Sequence, residues 1–285
     1  MPKRILITGA NGFIGAHLVS EIMKRTDWEV VSLDRLDVSG TYTRLGEIFD
    51  ENPEWRTRFT PVWHDLKAAI NGIVDHRIGH VDYVAHLAAG SHVDRSIDYP
   101  MEFVMDNVVG TCNLLDWFKS RRDDFLSDQI IKLGLLLKED TVLDPFPARF
   151  LYFSTDEVFG PAPEGVSYKE WDRYNSGNPY SASKAGAEEL CVAYANTYKL
   201  DIMVTHTMNV FGERQHPEKF IPLVIRKVRD GEKVTIHANK DCTQAGKRHY
   251  IHARDVADAV LLLLEKGRGL PLEKYNIVGE EKWIT

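Results

Sequence analysis

The chain has 285 residues, 44% hydrophobic and 27% charged, an ordinary globular composition with length for one large or two small domains. A formal net charge of −7 provides no polyanion-binding surface, which excludes DNA and RNA as expected partners. Cys112, Cys191 and Cys242 are odd in number and unpaired in spacing, which excludes a disulfide framework and fits a reducing, cytoplasmic setting.

Residues 4–8 read as a short buried strand. Gly9-Ala10-Asn11-Gly12-Phe13-Ile14-Gly15 follows, and then a helix with Ile14, Leu18 and Ile22 on one face. Strand, glycine turn and helix are the setting of a dinucleotide fingerprint: the glycines let the backbone turn tightly and approach a pyrophosphate, and free N–H groups at the helix start stabilise its charge. The apolar run Ile5-Leu6-Ile7 is broken at once by Thr8-Gly9, so no signal peptide is expected. A second strand, 29–33, ends in Asp34, about twenty residues beyond the glycine loop. A carboxylate there accepts hydrogen bonds from the adenosine ribose of NAD and repels the 2′-phosphate of NADP, whereas Arg35 next to it acts in the opposite sense. Residues 59–63 form a third expected strand and 81–86 a fourth. Leu87-Ala88-Ala89-Gly90-Ser91 then leaves the sheet with small side chains that permit a close approach. Residues 107–115 read as a long helix over the central strands. The stretch from Trp117 to Phe150, with its charges at 119–124 and its apolar run at 130–137, reads as a helical extension with a surface insertion.

The centre of the chain is chemically denser. Residues 150–153 read as a buried strand, so Ser154-Thr155-Asp156-Glu157 stands at a carboxyl end, where open α/β sheets bind ligands. Tyr180 and Lys184, four apart, share a helix face. An ammonium beside the phenol is expected to lower its pKa from about 10, so that Tyr180 takes the proton of an alcohol while a second group takes the hydride. The helix continues through 185–198. A strand at 201–206, a polar loop at 209–219, a helix at 221–228, a strand at 233–237, a helix at 253–266 and a last strand at 275–278 complete the pattern. The longest later apolar run, 259–264, is far below the ~20 residues of a membrane span. His92 and His216 have no ligand spacing with any other His or Cys, so no metal site is expected. The expected architecture is α/β, a Rossmann-type doubly wound parallel sheet of about seven strands. Residues 1–208 form it, completed by 247–266 and 275–279, while 209–246 and 267–285 make a small, interwoven substrate lobe.

The glycine loop in its GxxGxxG spacing, Asp34, the run from Ser154 to Gly160 and Tyr180-xxx-Lys184 together resemble the extended short-chain dehydrogenases that modify nucleotide-activated sugars. Residues 86–96, 107–115 and 217–222 extend the likeness over most of the chain, which is most similar to the dTDP-glucose 4,6-dehydratase group. The adjacent Asp156 and Glu157 are its most discriminating element, since epimerases of the same fold generally lack the pair. The resemblance implies NAD held by Gly9, Asn11, Gly12, Phe13, Ile14, Gly15, Asp34, Asp65, Leu66, Leu87, Ala88, Ala89, Ser91, Asn107 and Ser154, together with Tyr180 and Lys184. It implies catalysis by Thr155, Asp156, Glu157, Tyr180 and Lys184. Tyr180 would oxidise C4 of a hexose with NAD, Glu157 would remove the C5 proton, and Asp156 would protonate the departing C6 hydroxyl. For the substrate, a nucleotide hexose such as dTDP- or UDP-glucose, it implies Ser91, Thr155, Asn209, Arg214, Lys219 and Arg248. A homodimer through the helices of Asn107 and Tyr180 is also implied, with Leu114, Leu115, Ala187, Leu190 and Tyr194 available to it. Two features depart from the group: Gly90 stands where a glutamate is usual, and the chain ends sooner, so a shortened lobe is expected. A C4 epimerase or decarboxylase of the same fold, or a non-catalytic NAD-binding protein, are the alternatives.

Overall fold

A computed structural model describes residues 2–37, 40–132, 143–163, 165–236, 238–246, 248–267 and 272–279. The end of the apolar run at 130–137 and everything after Gly279 lie outside them. The first half of the chain runs β1 (Arg4–Thr8), α1 (Phe13–Arg25), β2 (Glu29–Asp34), α2 (Tyr42–Glu51), β3 (Phe59–Trp63), α3 (Gly72–Ile78), β4 (Tyr83–His86), α4 (Val93–Asp98) and α5 (Pro100–Phe103). A π-helical turn, Val104–Val109, leads into α6 (Gly110–Lys132). The second half comprises β5 (Arg149–Thr155), α7 (Pro179–Tyr198), β6 (Ile202–Thr207), β7 (Asn209–Phe211), α8 (Phe220–Arg229), β8 (Tyr250–His252), α9 (Ala253–Lys266) and β9 (Glu273–Ile277).

Seven strands pair in the order β3-β2-β1-β4-β5-β6-β9, every pair parallel. Parallel neighbours require crossover connections, so helices cover both faces of the sheet. The two-residue period of β1 shows the division. Ile5 and Ile7 pack with Ala16, Val19 and Val260 of α1 and α9, whereas Leu6 packs with Leu114, Phe118 and Ala187 of α6 and α7. Strand order reverses between β1 and β4, and the carboxyl ends of the strands meet there, which is where such sheets bind ligands.

The expected strand at 233–237 does not form over 233–236. These residues are largely exposed, and only an isolated bridge between Ala238 and Ala245 lies near them. Alternation without a partner strand leaves the backbone donors nothing to pair with but water. A two-stranded parallel sheet of β7 and β8 forms instead, outside the main sheet. Leu114, Leu115 and Ala187 have no exposed surface within one chain and are spent on its own core. No helix of the described residues is long and apolar enough to cross a membrane.

Candidate active site

The glycine loop is shaped by what surrounds it. Gly9 has φ +75°, and a β-carbon there would lie 2.8 Å from the Ala88 nitrogen; at Gly15 it would lie 2.1 Å from the Gly9 carbonyl. Any side chain at either point would push β1, the exit of β4 and the start of α1 apart. That exit is fastened to β1 by Leu87 N–H donating to the Thr8 carbonyl at 3.1 Å and Ala88 N–H to Thr8 Oγ1 at 3.2 Å. Asn11 is buried and donates through Nδ2 to Asp34 Oδ2 at 2.8 Å, while its own Oδ1 is buried without a partner among the described residues. Burial raises the Asp34 pKa to about 6. An orphaned amide oxygen and a buried carboxylate beside a glycine loop suit the hydroxyl donors of a ribose. Ser154 Oγ, at the end of β5, is likewise buried and unpartnered.

Arg35 is already engaged. Asp106 receives it at 2.6 and 2.9 Å and Asp37 lies 2.8 Å away, with Asp65 at 3.9 Å. Three carboxylates around one guanidinium neutralise the residue that would otherwise attract a 2′-phosphate. Leu66 is buried against Gly110, and Phe13 and Ile14 form the half-buried first turn of α1. Asn107 clamps the loop after β4: it accepts from Gly90 N–H at 2.7 Å and donates to the Gly90 carbonyl at 3.1 Å and to Ser183 Oγ at 2.8 Å. A β-carbon at Gly90 would lie 3.0 Å from the Phe103 ring, so the aromatic side chain crowds the position where a glutamate was expected.

Thr155 ends β5, and Asp156–Phe159 follow as a single 3-10 turn capped by Thr155 Oγ1, which accepts from Glu157 N–H at 3.3 Å. The same hydroxyl donates to Asp156 Oδ1 at 3.3 Å and lies close enough to Tyr180 to act on its phenol. Asn178 caps α7 through Ser181 N–H at 2.8 Å, with Pro179 at the first helical position, and its Nδ2 reaches Glu157 Oε2 at 3.3 Å. The first turn of α7 is also tied to α4, since Tyr180 N–H donates to Ser96 Oγ at 3.1 Å. Burial, reinforced by the Glu157 charge, raises the Asp156 pKa to about 6.

The Tyr/Lys pair differs from its expected form. Lys184 Nζ donates to the Phe153 carbonyl at 2.7 Å and lies 4.2 Å from the Tyr152 ring centre. Its pKa falls to about 7 through burial. The Tyr180 phenol is pushed up, not down, by burial and by the Glu157 charge. The expected lowering required a charged ammonium beside the phenol, whereas the lysine is buried and donates to a backbone oxygen.

On the far side, Lys219 Nζ donates to the Ser91 carbonyl at 3.3 Å, and its amine is influenced by Glu157 and Asp94. Arg248 is close enough for its charge to act on Asp156. Lys219 thus touches Ser91 and senses Glu157, and Arg248 senses Asp156, which brings the substrate-side candidates near the carboxyl pair. Asn209 donates to the His249 carbonyl at 3.3 Å and steadies the backbone next to Arg248. Arg214 is not brought to this group: it pairs with Glu47 at 3.0 Å and lies 3.9 Å from Glu51, both on α2. Sequence reasoning missed three positioning side chains. Arg44 donates to the Asn11 and Arg214 carbonyls, and a single arginine on an amphipathic helix gives no warning of that. Ser96 gave none either. Asn178 could have been found from Asn-Pro ahead of a helical pattern.

Residues 5–278 match the NAD dependent epimerase/dehydratase family, and the chain belongs to that family. The dTDP-glucose 4,6-dehydratase of Escherichia coli is 34% identical to it over 288 residues, covering 98% of this chain and 72% of that protein. Among solved structures, the Streptomyces venezuelae dTDP-glucose 4,6-dehydratase with NAD bound superposes with a TM-score of 0.78 at 32% identity, over 99% of this chain and 77% of the other. The Thermus thermophilus UDP-glucose 4-epimerase in complex with NAD gives 0.74 at 27% identity, over 99% and 79%.

Proposed function

We propose that the chain is an NAD-dependent nucleotide-sugar 4,6-dehydratase, a hydro-lyase that converts a nucleotide hexose such as dTDP- or UDP-glucose to its 4-keto-6-deoxy form. The observation that carries this reading is the carboxyl pair of Asp156 and Glu157 at the end of β5, tied to Thr155 and near enough to Tyr180 for both charges to act on its phenol. Asn11, Asp34, Ser154 and the glycine loop fit NAD, which Lys184 and Tyr180 would also help to hold; when bound, NAD would supply an acceptor for the C4 hydride and a donor of hydride to C6. A C5–H bond is acidic only once C4 is a ketone, so oxidation comes first. Tyr180, whose phenol is kept protonated by burial and the Glu157 charge, has to give up that proton before it can take the C4 hydroxyl proton, with Thr155 beside the oxygen. Glu157 then removes the C5 proton, and Asp156, kept protonated to higher pH by burial and its charged neighbour, gives its proton to the leaving C6 hydroxyl. Glu157 returns a proton to C5. Tyr180 ends the cycle one proton rich and Asp156 one proton poor. A proton passed from Tyr180 to Asp156, with the Thr155 hydroxyl near both, would reset the two.

The substrate-side assignments to Ser91, Asn209, Lys219 and Arg248 belong to the same proposal, with Arg214 acting through α2 and the glycine loop. So do a cytoplasmic setting and a homodimer, the latter supported by the exposed apolar residues Ile97, Tyr99, Met101 and Met105 on and after α4. The likeness to the Thermus thermophilus epimerase keeps a C4 epimerase as the second reading. Mass spectrometry of dTDP-glucose, UDP-glucose, UDP-N-acetylglucosamine and GDP-mannose incubated with protein and NAD separates them. Loss of one water from one substrate, abolished by Glu157→Gln, supports the dehydratase. Unchanged mass with altered retention supports the epimerase, and no change with any substrate overturns both.

A further inference from the structure

His92, His216 and Glu218 lie far apart in sequence, yet their ligand-capable atoms all fall within 4.8 Å of one another. His92 stands directly before α4 on the loop leaving β4, next to Ser91, whereas His216 and Glu218 belong to the loop between β7 and α8, next to Lys219. The imidazoles are edge to face with ring centres 5.7 Å apart, and His216 Nδ1 is 3.8 Å from a Glu218 carboxylate oxygen. We propose that this trio is a binding site for a divalent transition cation, Zn²⁺ above all, and that the bound ion latches the mouth of the cleft shut.

The donor set carries the chemistry. Two imidazoles and a carboxylate are an established donor combination for zinc, and they leave a fourth position for water or a ligand oxygen. Zinc–ligand distances of about 2.0–2.2 Å put tetrahedral donors roughly 3.4 Å apart, so no separation here has to close by more than about 1.4 Å. Glu218 is exposed and His216 sits in a loop, and both can make that adjustment by side-chain rotation. Imidazole must be neutral to bind a metal. Lys219 and Arg95 place positive charge near His92, and Glu218 places a negative one. Lys219 is the unfavourable neighbour, and its amine is directed to the Ser91 carbonyl.

The ligands come from both sides of the cleft, so an ion at this site ties the loop after β4 to the loop after β7. It also stands beside Ser91 and Lys219. The inhibitory part of the inference rests on the proposed function, because it takes those residues to border the sugar nucleotide; the binding part does not. The expected effect is loss of turnover on adding Zn²⁺, relieved by chelator and weakened by excess sugar nucleotide.

Zinc chloride titrated into chelator-treated full-length protein, followed by calorimetry and by competition with a chromophoric zinc indicator, tests the site. One equivalent is expected to bind, with affinity weaker in His216→Ala and in Glu218→Ala by more than the roughly 10–100-fold that loss of an outer-shell partner costs. Cys242→Ser, at an exposed thiol elsewhere, is expected to bind as the parent does. Equal affinity in all variants means an adventitious ion only and overturns the site. Binding lost in both variants, with turnover of the parent unaffected by zinc, overturns the latch. A protein that binds one zinc as described but acts on no nucleotide sugar leaves the site standing and removes the proposed function.

Discussion

Asp156 and Glu188 are both carboxylates withdrawn from water, one at the end of β5 and the other one helical turn beyond Lys184 on α7. They respond in opposite ways. Asp156 has an acidic neighbour, and its pKa rises to about 6. Glu188 has no exposed surface, yet its pKa falls to about 2, because His206 lies at 3.0 and 3.2 Å, Lys274 at 2.9 Å, and the Tyr174 hydroxyl donates to it. His206 is itself fixed to Asn276 at 3.2 Å, so one carboxylate joins α7, β6, β9 and the segment that carries Tyr174. Burial sets the cost of the charge in both places, and the partners decide whether it is recovered. Where nothing is to react, the fold supplies a partner for each oxygen. At the mouth of the cleft it withholds them, and a carboxyl group that can still gain and lose a proton is the result. The consequences for stability run in opposite directions with pH. Between about 3.8 and 6 the folded chain binds a proton at Asp156 that the unfolded chain releases, so this residue costs stability as pH rises, on the order of 1–3 kcal/mol above pH 6. Glu188 contributes a similar amount above pH 4.5 and loses it as pH falls towards 2.

The contrast breaks most visibly at Glu157. Replacement by Gln is expected to slow water loss by about 10³-fold while the melting temperature stays within about 2 °C; retention of a tenth of the activity would remove the acid pair from the chemistry. Lys274→Met attacks the other site. It leaves Glu188 and His206 buried without their cation and is expected to cost about 3–5 kcal/mol in urea unfolding, with no cost if the cluster is already neutral. Asp156→Asn should combine a strong loss of dehydration with a gain in stability of about 1–3 kcal/mol at pH 8, shrinking to nothing near pH 4. The parent's elimination step, followed by solvent isotope entry at C5, should fall off as pH rises above about 6. The smallest effect is expected at Arg35→Ala: its exposed pairs are worth about 1 kcal/mol or less, and because carboxylates already occupy the guanidinium, the preference for NAD over NADP should change by less than about threefold.

Much of this arrangement was legible because it is local. Short apolar runs placed the strands of the main sheet, the glycine turn placed the start of α1, and 253–266 coincides with α9. The carboxyl pair was visible because both residues stand at the end of one strand. What escaped depends on contacts between distant segments. The π-helical turn at Val104–Val109 comes where Asn107 grips Gly90, a bond that no pattern within 104–109 announces. Lys184 finds the Phe153 carbonyl in place of Tyr180, because burial makes a backbone acceptor more valuable than a helix-face neighbour. The apolar positions at Leu114, Leu115 and Ala187 served the chain's own core, and residues that line a core or an interface have the same composition. The Glu188 cluster needed β6 and β9 side by side before His206 and Lys274 could meet one carboxylate.

The pairing of β7 with β8 has a consequence for how such a protein changes. Asn209, Val210 and Phe211 lie opposite Tyr250, Ile251 and His252 in parallel, so the chain departs from and rejoins the body at neighbouring strands, about 4.8 Å apart. The intervening stretch, which holds Lys219, α8 and Arg248, thus begins and ends at adjacent strands and otherwise touches the body through a few polar contacts such as Lys219 to Ser91 and Arg214 to Glu47. Its length and composition can be exchanged as a block while the seven-stranded sheet keeps its register, which makes this hem the natural place to graft a new substrate preference onto unchanged oxidising machinery.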